Sequence, residues 1–206
     1  MKDWLKTVYN ETSSSKLNKH YKKWANLYDT DMSSWGYAYP VQLNKILTNK
    51  LKLKKTIKIL DAGCGTGYVA EVLSKLNYKN IIGIDFSEEM LAIAKSKKIY
   101  EKLICQSLNE KIELRSNQFE LVICTGVLTS GHVGPGALNE LIRLLRPKGF
   151  FICSIAESVY KKNGFEKEIK NLRDLVTIKS ISKAFVALPN NKNSAKSRMY
   201  ILEKLH

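Results

Sequence analysis

The pattern of apolar and polar positions along the chain changes repeatedly between two periods, and it predicts the elements. Short, nearly continuous apolar runs are typical of strands buried on both faces, whereas apolar residues three and four apart are typical of helices. The runs predict strands at 57–61, 81–85, 102–106, 119–126, 150–156, 176–187 and 197–203. The helical spacing predicts helices between the earlier runs, at 67–76, 87–98, 136–145 and 165–175.

Strands that alternate with helices predict an α/β fold with a parallel sheet covered by helices on both faces. The last two strands break this alternation, because only a polar, hairpin-like turn at PNNKNS lies between them. The final strand is therefore expected to be antiparallel to the rest of the sheet.

The first fifty residues have a different pattern. Residues 1–13 are expected to be loosely ordered, and helical spacing begins at Ser15 and continues to Tyr28. An aromatic loop is expected at 29–40, with a second helix from Pro40 to about Asn49. We expect a single domain over 1–206, with a helical lid at 1–50 and a core at 51–206.

Composition narrows the class of protein. The 206 residues carry a formal net charge of +15, yet only five of the 34 basic residues are arginine. Nucleic-acid surfaces favour arginine for bidentate and stacking contacts, so a nucleic-acid partner is not expected despite the charge. No apolar run approaches the ~20 residues that span a bilayer. The first residues also lack the apolar core of a signal peptide. We expect a soluble, cytoplasmic protein without membrane contact.

The four cysteines are far apart and form no paired metal-binding motif, so buried free thiols and no metal site are expected. They are Cys64, Cys105, Cys124 and Cys153.

A glycine-rich turn, DAGCGTG at 61–67, connects the first predicted strand of the sheet to a helix. Glycines permit positive φ and close backbone approach, and a helix N-terminus offers free N–H groups. A plain tight turn is the structural alternative, although one glycine could make it. Asp85 ends the next strand about 20 residues later, where an acid accepts hydrogen bonds from ribose hydroxyls.

The same turn leaves two cofactor classes open. Residues 65–70, GTGYVA, also fit the fingerprint of dinucleotide-binding proteins. Asp61 argues against a dinucleotide, because its carboxylate would repel a pyrophosphate and attract an ammonium group. The chain is also short for a dehydrogenase with a second, substrate-binding domain.

Four stretches in order resemble class I S-adenosylmethionine-dependent methyltransferases: DAGCGTG, GIDFSEEML, NQFELVICTGVL and LLRPKGFFICS. With the N-terminal HYKKWANLYDTDMSSWGYAYP and the GVLTSGHVGPGALNELIRLLRPKG segment, the chain is similar to the Williams-Beuren-region methyltransferase-like subgroup. The resemblance covers about residues 20–175. It implies a Rossmann-like sheet of seven strands with an antiparallel last strand, and S-adenosylmethionine as cofactor.

The resemblance also implies roles for single residues. Asp61, Ala62 and the Gly63 backbone would face the amino-acid part of the cofactor, and Gly65 and Gly67 would pass beneath the ribose. Asp85 would hold the ribose hydroxyls, with the adenine between Phe86, Met90, Ser107 and Leu108. Ser107 stands where the family commonly has an acid, so a weaker adenine contact is expected. Thr125 and Gly126 would line the methionine tail.

For the acceptor side, His132 is the candidate general base, because it lies in the glycine-rich loop after the fourth strand; a purely structural histidine is the alternative. Tyr28 would close the pocket, and Tyr39 would form a lid wall with Trp35 and Tyr37. Tyr28 and Tyr39 are also predicted to act with His132 as catalytic residues. Simple packing of these aromatic residues is equally compatible with the pattern.

The expected function is methyl transfer to a small-molecule acceptor by in-line displacement. The short lid and the lack of an Asn-Pro-Pro-Tyr-type tetrad after the fourth strand favour this reading. A protein or RNA methyltransferase and a non-catalytic S-adenosylmethionine-binding protein remain alternatives. The acceptor atom and the oligomeric state do not follow from the sequence.

Overall fold

The computed structural model describes residues 4–9, 11 and 13–206 of the chain. Its strands are β1 (Ile59–Ala62), β2 (Ile81–Asp85), β3 (Lys102–Cys105), β4 (Phe119–Leu128), β5 (Leu145–Ala156), β6 (Val176–Ile181), β7 (Phe185–Val186) and β8 (Lys196–Lys204). They form one sheet with the order β3-β2-β1-β4-β5-β8-β6, in which the short β7 pairs with β8. Neighbours among β1–β5 are parallel, and β8 is antiparallel to β5, β6 and β7. The predicted α/β sheet with an antiparallel last strand is confirmed, with eight strands rather than seven because β7 pairs separately.

Helices cover both faces of this sheet. They are α1 (Trp4–Tyr9), α2 (Ser14–Ser34), α3 (Tyr39–Asn49), α4 (Tyr68–Lys75), α5 (Glu88–Ser96), α6 (Ala137–Leu144), α7 (Glu157–Tyr160) and α8 (Phe165–Asn171), followed by a 3-10 turn at Leu172–Asp174. Among the described residues, none of these helices is both long and apolar enough to cross a bilayer.

The core has two layers, because alternate residues of a strand point to opposite faces of the sheet. Leu60 of β1 packs in the same buried cluster as Leu141 of α6 and Phe165 of α8. Ile59 packs in the other cluster, with Trp24 of α2 and Leu43 of α3. Helices α6 and α8 thus pack on one face of the sheet. Helices α2 and α3, which belong to the N-terminal segment, pack on the other face.

The N-terminal segment differs from the expectation in two places. Part of the stretch expected to be loose forms α1, because Leu5 and Val8, three residues apart, are both buried. The ring of Trp4 also stacks on Trp24 at 6.1 Å. The predicted loop at 29–40 is wrong for its first half, since α2 continues to Ser34 and buries Met32 on the face that carries Trp24.

The cysteines follow the expectation with one exception. Cys64, Cys124 and Cys153 are buried free thiols, whereas Cys105 is exposed. Cys105 ends β3, the edge strand of the sheet, where one side has no neighbouring strand to cover it.

Candidate active site

A cavity opens at the carboxyl ends of β1, β2 and β4, beneath α2. This is where an open α/β sheet binds its ligands. Its empty space is about 930 Å³, including the part that is open to solvent. The glycine turn after β1 and the end of β2 form one side, and the end of β4 with its following loop forms another. Leu17, Tyr21 and Tyr28 of α2 line it as well.

The glycine turn supplies backbone with no side chain between it and the cavity. Gly63 has φ +75°, and a Cβ there would lie 2.3 Å from a methyl carbon of Val127, so only glycine fits. Gly65 has φ +52°, and a Cβ built on it would meet no atom within 4 Å. Both glycines line the cavity. Gly67 instead precedes α4 as its N-cap, outside the cavity lining.

Asp85 is held in place by two backbone donors. Its Oδ2 accepts a hydrogen bond from the Gly65 N–H at 2.9 Å, and its Oδ1 accepts one from the Ser87 N–H at 3.0 Å. The residue is 7% exposed and lines the cavity. Burial raises the pKa of the Asp85 carboxyl, and the backbone donors oppose this shift. Each oxygen keeps a lone pair for a ligand hydroxyl, because a carboxylate has about four acceptor positions.

An apolar patch adjoins Asp85. Phe86 and Met90 line the cavity from the start of α5, and Ser107 and Leu108 line it from the segment after β3. Ser107 Oγ accepts a hydrogen bond from the Asn109 N–H at 3.2 Å, which uses part of its acceptor capacity. Asn109 also lines the cavity, although it was not among the residues predicted from the sequence.

At the end of β4, Thr125 carries an unpaired polar group. Its Oγ1 is buried and has no hydrogen-bond partner among the described residues, and Thr125 lines the cavity. The neighbouring Gly126 donates its N–H to Ser154 Oγ at 2.8 Å and also lines the cavity. Because a buried hydroxyl without a partner is unfavourable, Thr125 is poised to bind a polar ligand group.

Asp61 and Ala62 do not line the cavity. The Tyr100 hydroxyl donates a hydrogen bond of 2.6 Å to Asp61 Oδ2, beneath the glycine turn. Burial raises the pKa of the Asp61 carboxyl to about 7. Ala62 is fully buried in the core on the opposite face of the sheet. The expectation that both side chains face the cofactor is therefore corrected, because Tyr100 and the core enclose them.

The aromatic residues of the N-terminal segment divide into two groups. Tyr28 and Tyr37 line the cavity. Tyr39 does not, because its hydroxyl is hydrogen-bonded to Ser197 Oγ at 2.8 Å and only 5% of it is exposed. Trp35 packs against Trp24 with ring centroids 5.8 Å apart, also outside the lining. The proposed catalytic or lid-wall role of Tyr39 is thus not compatible with its position.

His132 lines the cavity together with Tyr21 of α2, which was not among the site residues predicted from the sequence. His132 Nδ1 lies 2.7 Å from the Ser130 carbonyl oxygen, and Nε2 lies 2.6 Å from the Tyr21 hydroxyl. A carbonyl only accepts, so Nδ1 carries the hydrogen and Nε2 accepts from Tyr21. Burial lowers the pKa of His132, so the ring is neutral. The one sequence signal for Tyr21 was its place in the HYKKWANLYD stretch.

Contacts between α2 and the core hold this cover over the cavity. Asp29 accepts a hydrogen bond from Thr66 Oγ1 at 2.5 Å and pairs with Lys97 Nζ at 2.8 Å. The Tyr68 hydroxyl donates to the Asp29 carbonyl at 2.7 Å. The glycine turn, the start of α4 and the end of α5 therefore all contact α2 at Asp29.

Comparison with known proteins places this geometry in a family. Residues 60–153 match the family described as "Methyltransferase domain". They carry a class I S-adenosylmethionine-dependent methyltransferase domain. S-adenosylmethionine is the cofactor of this class of domain.

Three similar proteins extend this finding. The chain is 32% identical over 135 residues to human methyltransferase-like protein 27, covering 65% of this chain and 54% of that one. It is 47% identical over 107 residues to malonyl-[acyl-carrier protein] O-methyltransferase of Bacillus cereus, covering 50% and 36%. An S-adenosylmethionine-dependent methyltransferase structure from Mesorhizobium loti superposes with a TM-score of 0.56 at 17% identity, covering 73% and 93%. This last likeness concerns the fold, and the chain spans about half or less of the length of the two curated relatives.

The residues of the methyltransferase domain fit its cofactor. Asp85 offers carboxylate oxygens suited to a ribose diol, and the Phe86, Met90 and Leu108 side chains offer an apolar surface suited to adenine. The unpaired Thr125 hydroxyl and the open space at Gly65 complete the match at the far end of the cavity. Among the described residues, no three His, Cys, Asp or Glu side chains come together as a metal site.

Proposed function

We propose that this protein is an S-adenosylmethionine-dependent methyltransferase that acts on a small-molecule acceptor. The observation that carries the proposal is a cavity lined by Asp85 and the unpaired Thr125 hydroxyl on one side and by His132 with Tyr21 on another. Because α2 also lines this cavity and is held to the core through Asp29, a small molecule enters more readily than a folded macromolecule.

In the proposed site, Asp85 accepts hydrogen bonds from the two ribose hydroxyls and Phe86 packs on the adenine. Met90 and Leu108 complete the adenine surface, and Ser107 accepts a neutral hydrogen bond from its amino group. A neutral bond is weaker than one to an ionised acid, which we expect to cost about 1 kcal/mol of affinity.

The remaining proposed contacts hold the amino-acid end of the cofactor. Gly63 and Gly65 leave room for close backbone approach, Thr125 and Gly126 line the methionine part, and Tyr28 closes the site above it. When bound, S-adenosylmethionine supplies an electrophilic methyl group on a sulfonium. The protein aligns the acceptor with it, excludes water and gives the acceptor proton a destination at His132 Nε2.

A macromolecular acceptor is a second candidate, favoured by the net charge of +15. An acidic protein or RNA would be attracted to such a surface. The named substrate of the Bacillus relative, malonyl-[acyl-carrier protein], combines both kinds of acceptor, a small group on a carrier.

Two measurements test the proposal. Isothermal titration with S-adenosylmethionine, S-adenosylhomocysteine and NADH should give micromolar binding of the first two and none of NADH. Incubation with labelled S-adenosylmethionine and a cell extract should then label the low-molecular-weight fraction, with or without nuclease treatment. Label in the protein or nuclease-sensitive fraction would favour the second candidate. No transfer despite cofactor binding would indicate a non-catalytic binder.

A further inference from the structure

The cavity lining carries very little charge although the whole chain is strongly basic. Among the described residues that line it, Asp85 is the single carboxylate, and no lysine or arginine lines it. Asp85 already accepts two backbone hydrogen bonds and lies at the proposed ribose position. A charged acceptor in this cavity therefore finds no counter-charge among the described lining side chains, and burying an unpaired charge is unfavourable by several kcal/mol.

The surface around Tyr21 that remains for an acceptor is flat and largely apolar. The Tyr21 ring stands edge-on to Phe86, with centroids 5.8 Å apart, and edge-on to His132 at the same distance. Leu17 and Val133 line the cavity with them. Rings and branched aliphatic side chains in this arrangement suit a planar, apolar molecule.

A chain of hydrogen bonds leads from this apolar surface through Tyr21 and His132 to the backbone. The Tyr21 hydroxyl donates to His132 Nε2 at 2.6 Å, and His132 Nδ1–H donates to the Ser130 carbonyl at 2.7 Å. The Tyr21 oxygen keeps its own lone pairs, which can accept a hydrogen bond from a ligand hydroxyl. The Tyr9 ring meets the His132 ring edge-on at 6.2 Å and helps to fix its orientation.

We propose, on the basis of the methyl-transfer function proposed above, that the acceptor is an uncharged planar molecule with a phenol- or enol-type hydroxyl. Its hydroxyl donates to Tyr21, and Tyr21 with His132 forms the relay that takes its proton. Tyr21 was absent from the residues selected by sequence, so the relay adds a catalytic residue to the site.

The acceptor oxygen forms a bond to the methyl carbon, and the methyl–sulfur bond breaks with its electron pair remaining on sulfur. The acceptor proton passes to the Tyr21 oxygen while the Tyr21 proton passes to His132 Nε2. The positive charge lost at sulfur appears on the imidazole ring, where the Ser130 carbonyl accepts from Nδ1–H and stabilises it.

Charged acceptors fit this surface less well. A carboxylate acceptor would lack a cationic partner in the lining. An ammonium acceptor would lie beside the sulfonium with no free carboxylate among the described lining residues to compensate its charge.

The test uses the full chain saturated with S-adenosylhomocysteine and three probes of one shape. Binding of para-nitrophenol, para-nitrobenzoate and para-nitrobenzylamine is measured by calorimetry at a mildly acidic pH, where free para-nitrophenol is mainly the uncharged phenol and the other two probes are charged. The phenolate absorbance of bound para-nitrophenol then reports proton loss without any methyl transfer. The variants are Tyr21→Phe and His132→Gln, and the matched control is Tyr160→Phe, which removes a hydroxyl outside the cavity lining.

We expect para-nitrophenol to bind at least tenfold more tightly than either charged probe. We expect its ionised fraction to fall at least threefold in Tyr21→Phe and in His132→Gln and to stay unchanged in Tyr160→Phe. Equal binding of the charged probes, no binding of any probe, or an unchanged ionised fraction in both cavity variants would overturn the proposal. Failure of S-adenosylhomocysteine itself to bind would instead contradict the proposed function, so the two failures are distinguishable.

Discussion

The buried Thr125 hydroxyl has no hydrogen-bond partner in the part of the chain that the structure describes, which lowers the stability of the free protein but leaves the group available to a ligand. Replacing Thr125 by valine keeps the shape of the side chain and removes the unpaired oxygen. We expect the variant without ligand to be more stable by about 1 kcal/mol, because a buried unpaired polar group is unfavourable. We also expect its affinity for S-adenosylhomocysteine to fall about fivefold.

Urea unfolding and calorimetry measure the two effects of Thr125→Val separately. Changes of the same sign, with higher stability and tighter binding together, would show that the hydroxyl does not meet the cofactor. Higher stability together with weaker binding would support a contact between the hydroxyl and the cofactor.

Asp85 is the residue on which the ribose assignment depends. The Asp85→Ala variant loses the carboxylate that accepts from Gly65 and Ser87, and with it the proposed ribose contact. We expect cofactor affinity to fall at least tenfold, about 1.4 kcal/mol, while the far-ultraviolet circular dichroism spectrum is retained. Glu88→Ala removes the same charge from an exposed neighbour and serves as the control. Unchanged affinity in Asp85→Ala would reject the ribose assignment.

Asp61 makes the free energy of unfolding of the ligand-free protein depend on pH. Its folded pKa of about 7 lies above the ordinary aspartate value of about 3.9. Folding therefore favours the protonated carboxyl, and this contribution is complete below about pH 4 and is lost as the pH rises through about 7. The Tyr100 hydroxyl lowers the pKa of Asp61, so the Tyr100→Phe variant should raise it further.

At about pH 8 Asp61 is largely ionised, and its buried carboxylate is stabilised by the hydrogen bond from Tyr100. At about pH 5 Asp61 is protonated and needs this hydrogen bond less. We expect Tyr100→Phe to lower the free energy of unfolding by at least about 1 kcal/mol more at the higher pH. Urea unfolding at both pH values measures this. In an Asp61→Asn background the same substitution should have equal effects at both pH values. A pH-independent loss in the wild-type background would contradict the role of the pair.

At the residue scale, the sequence predicted the positions that depend on local pattern. Gly63, Gly65 and Asp85 could be selected because strand ends and turn spacing determine where they lie. Tyr21 could not, because its role arises from a contact with His132, 111 positions later in the chain. The burial of Asp61 depends on Tyr100 in the same way, since that tyrosine reaches it across the sheet from the segment before β3.

Among the elements, α2 departs most from the sequence prediction. Its last six residues, DTDMSS at 29–34, are rich in Asp, Ser and Thr, which favour loops over helix interiors. Tertiary contacts nevertheless keep them helical. The Trp24 indole N–H donates to Asp31 Oδ2 at 2.7 Å, and Met32 is buried. The strands of the core were predicted closely, because strands buried on both faces have apolar runs that need no distant partner to be recognised.

The contact between α2 and the core at Asp29 predicts how the cover responds to mutation. The Asp29→Ala variant removes the acceptor of Thr66 and one of the two carboxylates that pair with Lys97, the other being Glu71. We expect faster amide hydrogen exchange in α2 and an affinity for S-adenosylhomocysteine reduced about fivefold, roughly 1 kcal/mol. Lys22→Ala, which breaks the exposed pair with Glu89, is the control and should change neither quantity. Equal effects of both variants would show that Asp29 is an ordinary surface residue.

For the whole molecule, the cofactor cavity joins the N-terminal segment to the sheet, so a ligand should stabilise the entire fold. S-adenosylhomocysteine at 100 times its dissociation constant stabilises a protein by about 2.7 kcal/mol. For a chain of this size that raises Tm by roughly 5–11 °C. Differential scanning calorimetry with S-adenosylhomocysteine measures the shift, and NADH at equal concentration should produce none. A shift with NADH alone would contradict the cofactor assignment.

The position of β8 inside the sheet determines the order of assembly. Both β6 and β7 precede β8 in the chain, yet each is joined to the sheet through β8, which alone connects them to β5. During synthesis on a ribosome, 176–186 therefore emerge before the strand that receives them. Until 196–204 have emerged, the outer edge of β5 is an open strand edge, the kind of surface that chaperones shield and that pairs with other chains.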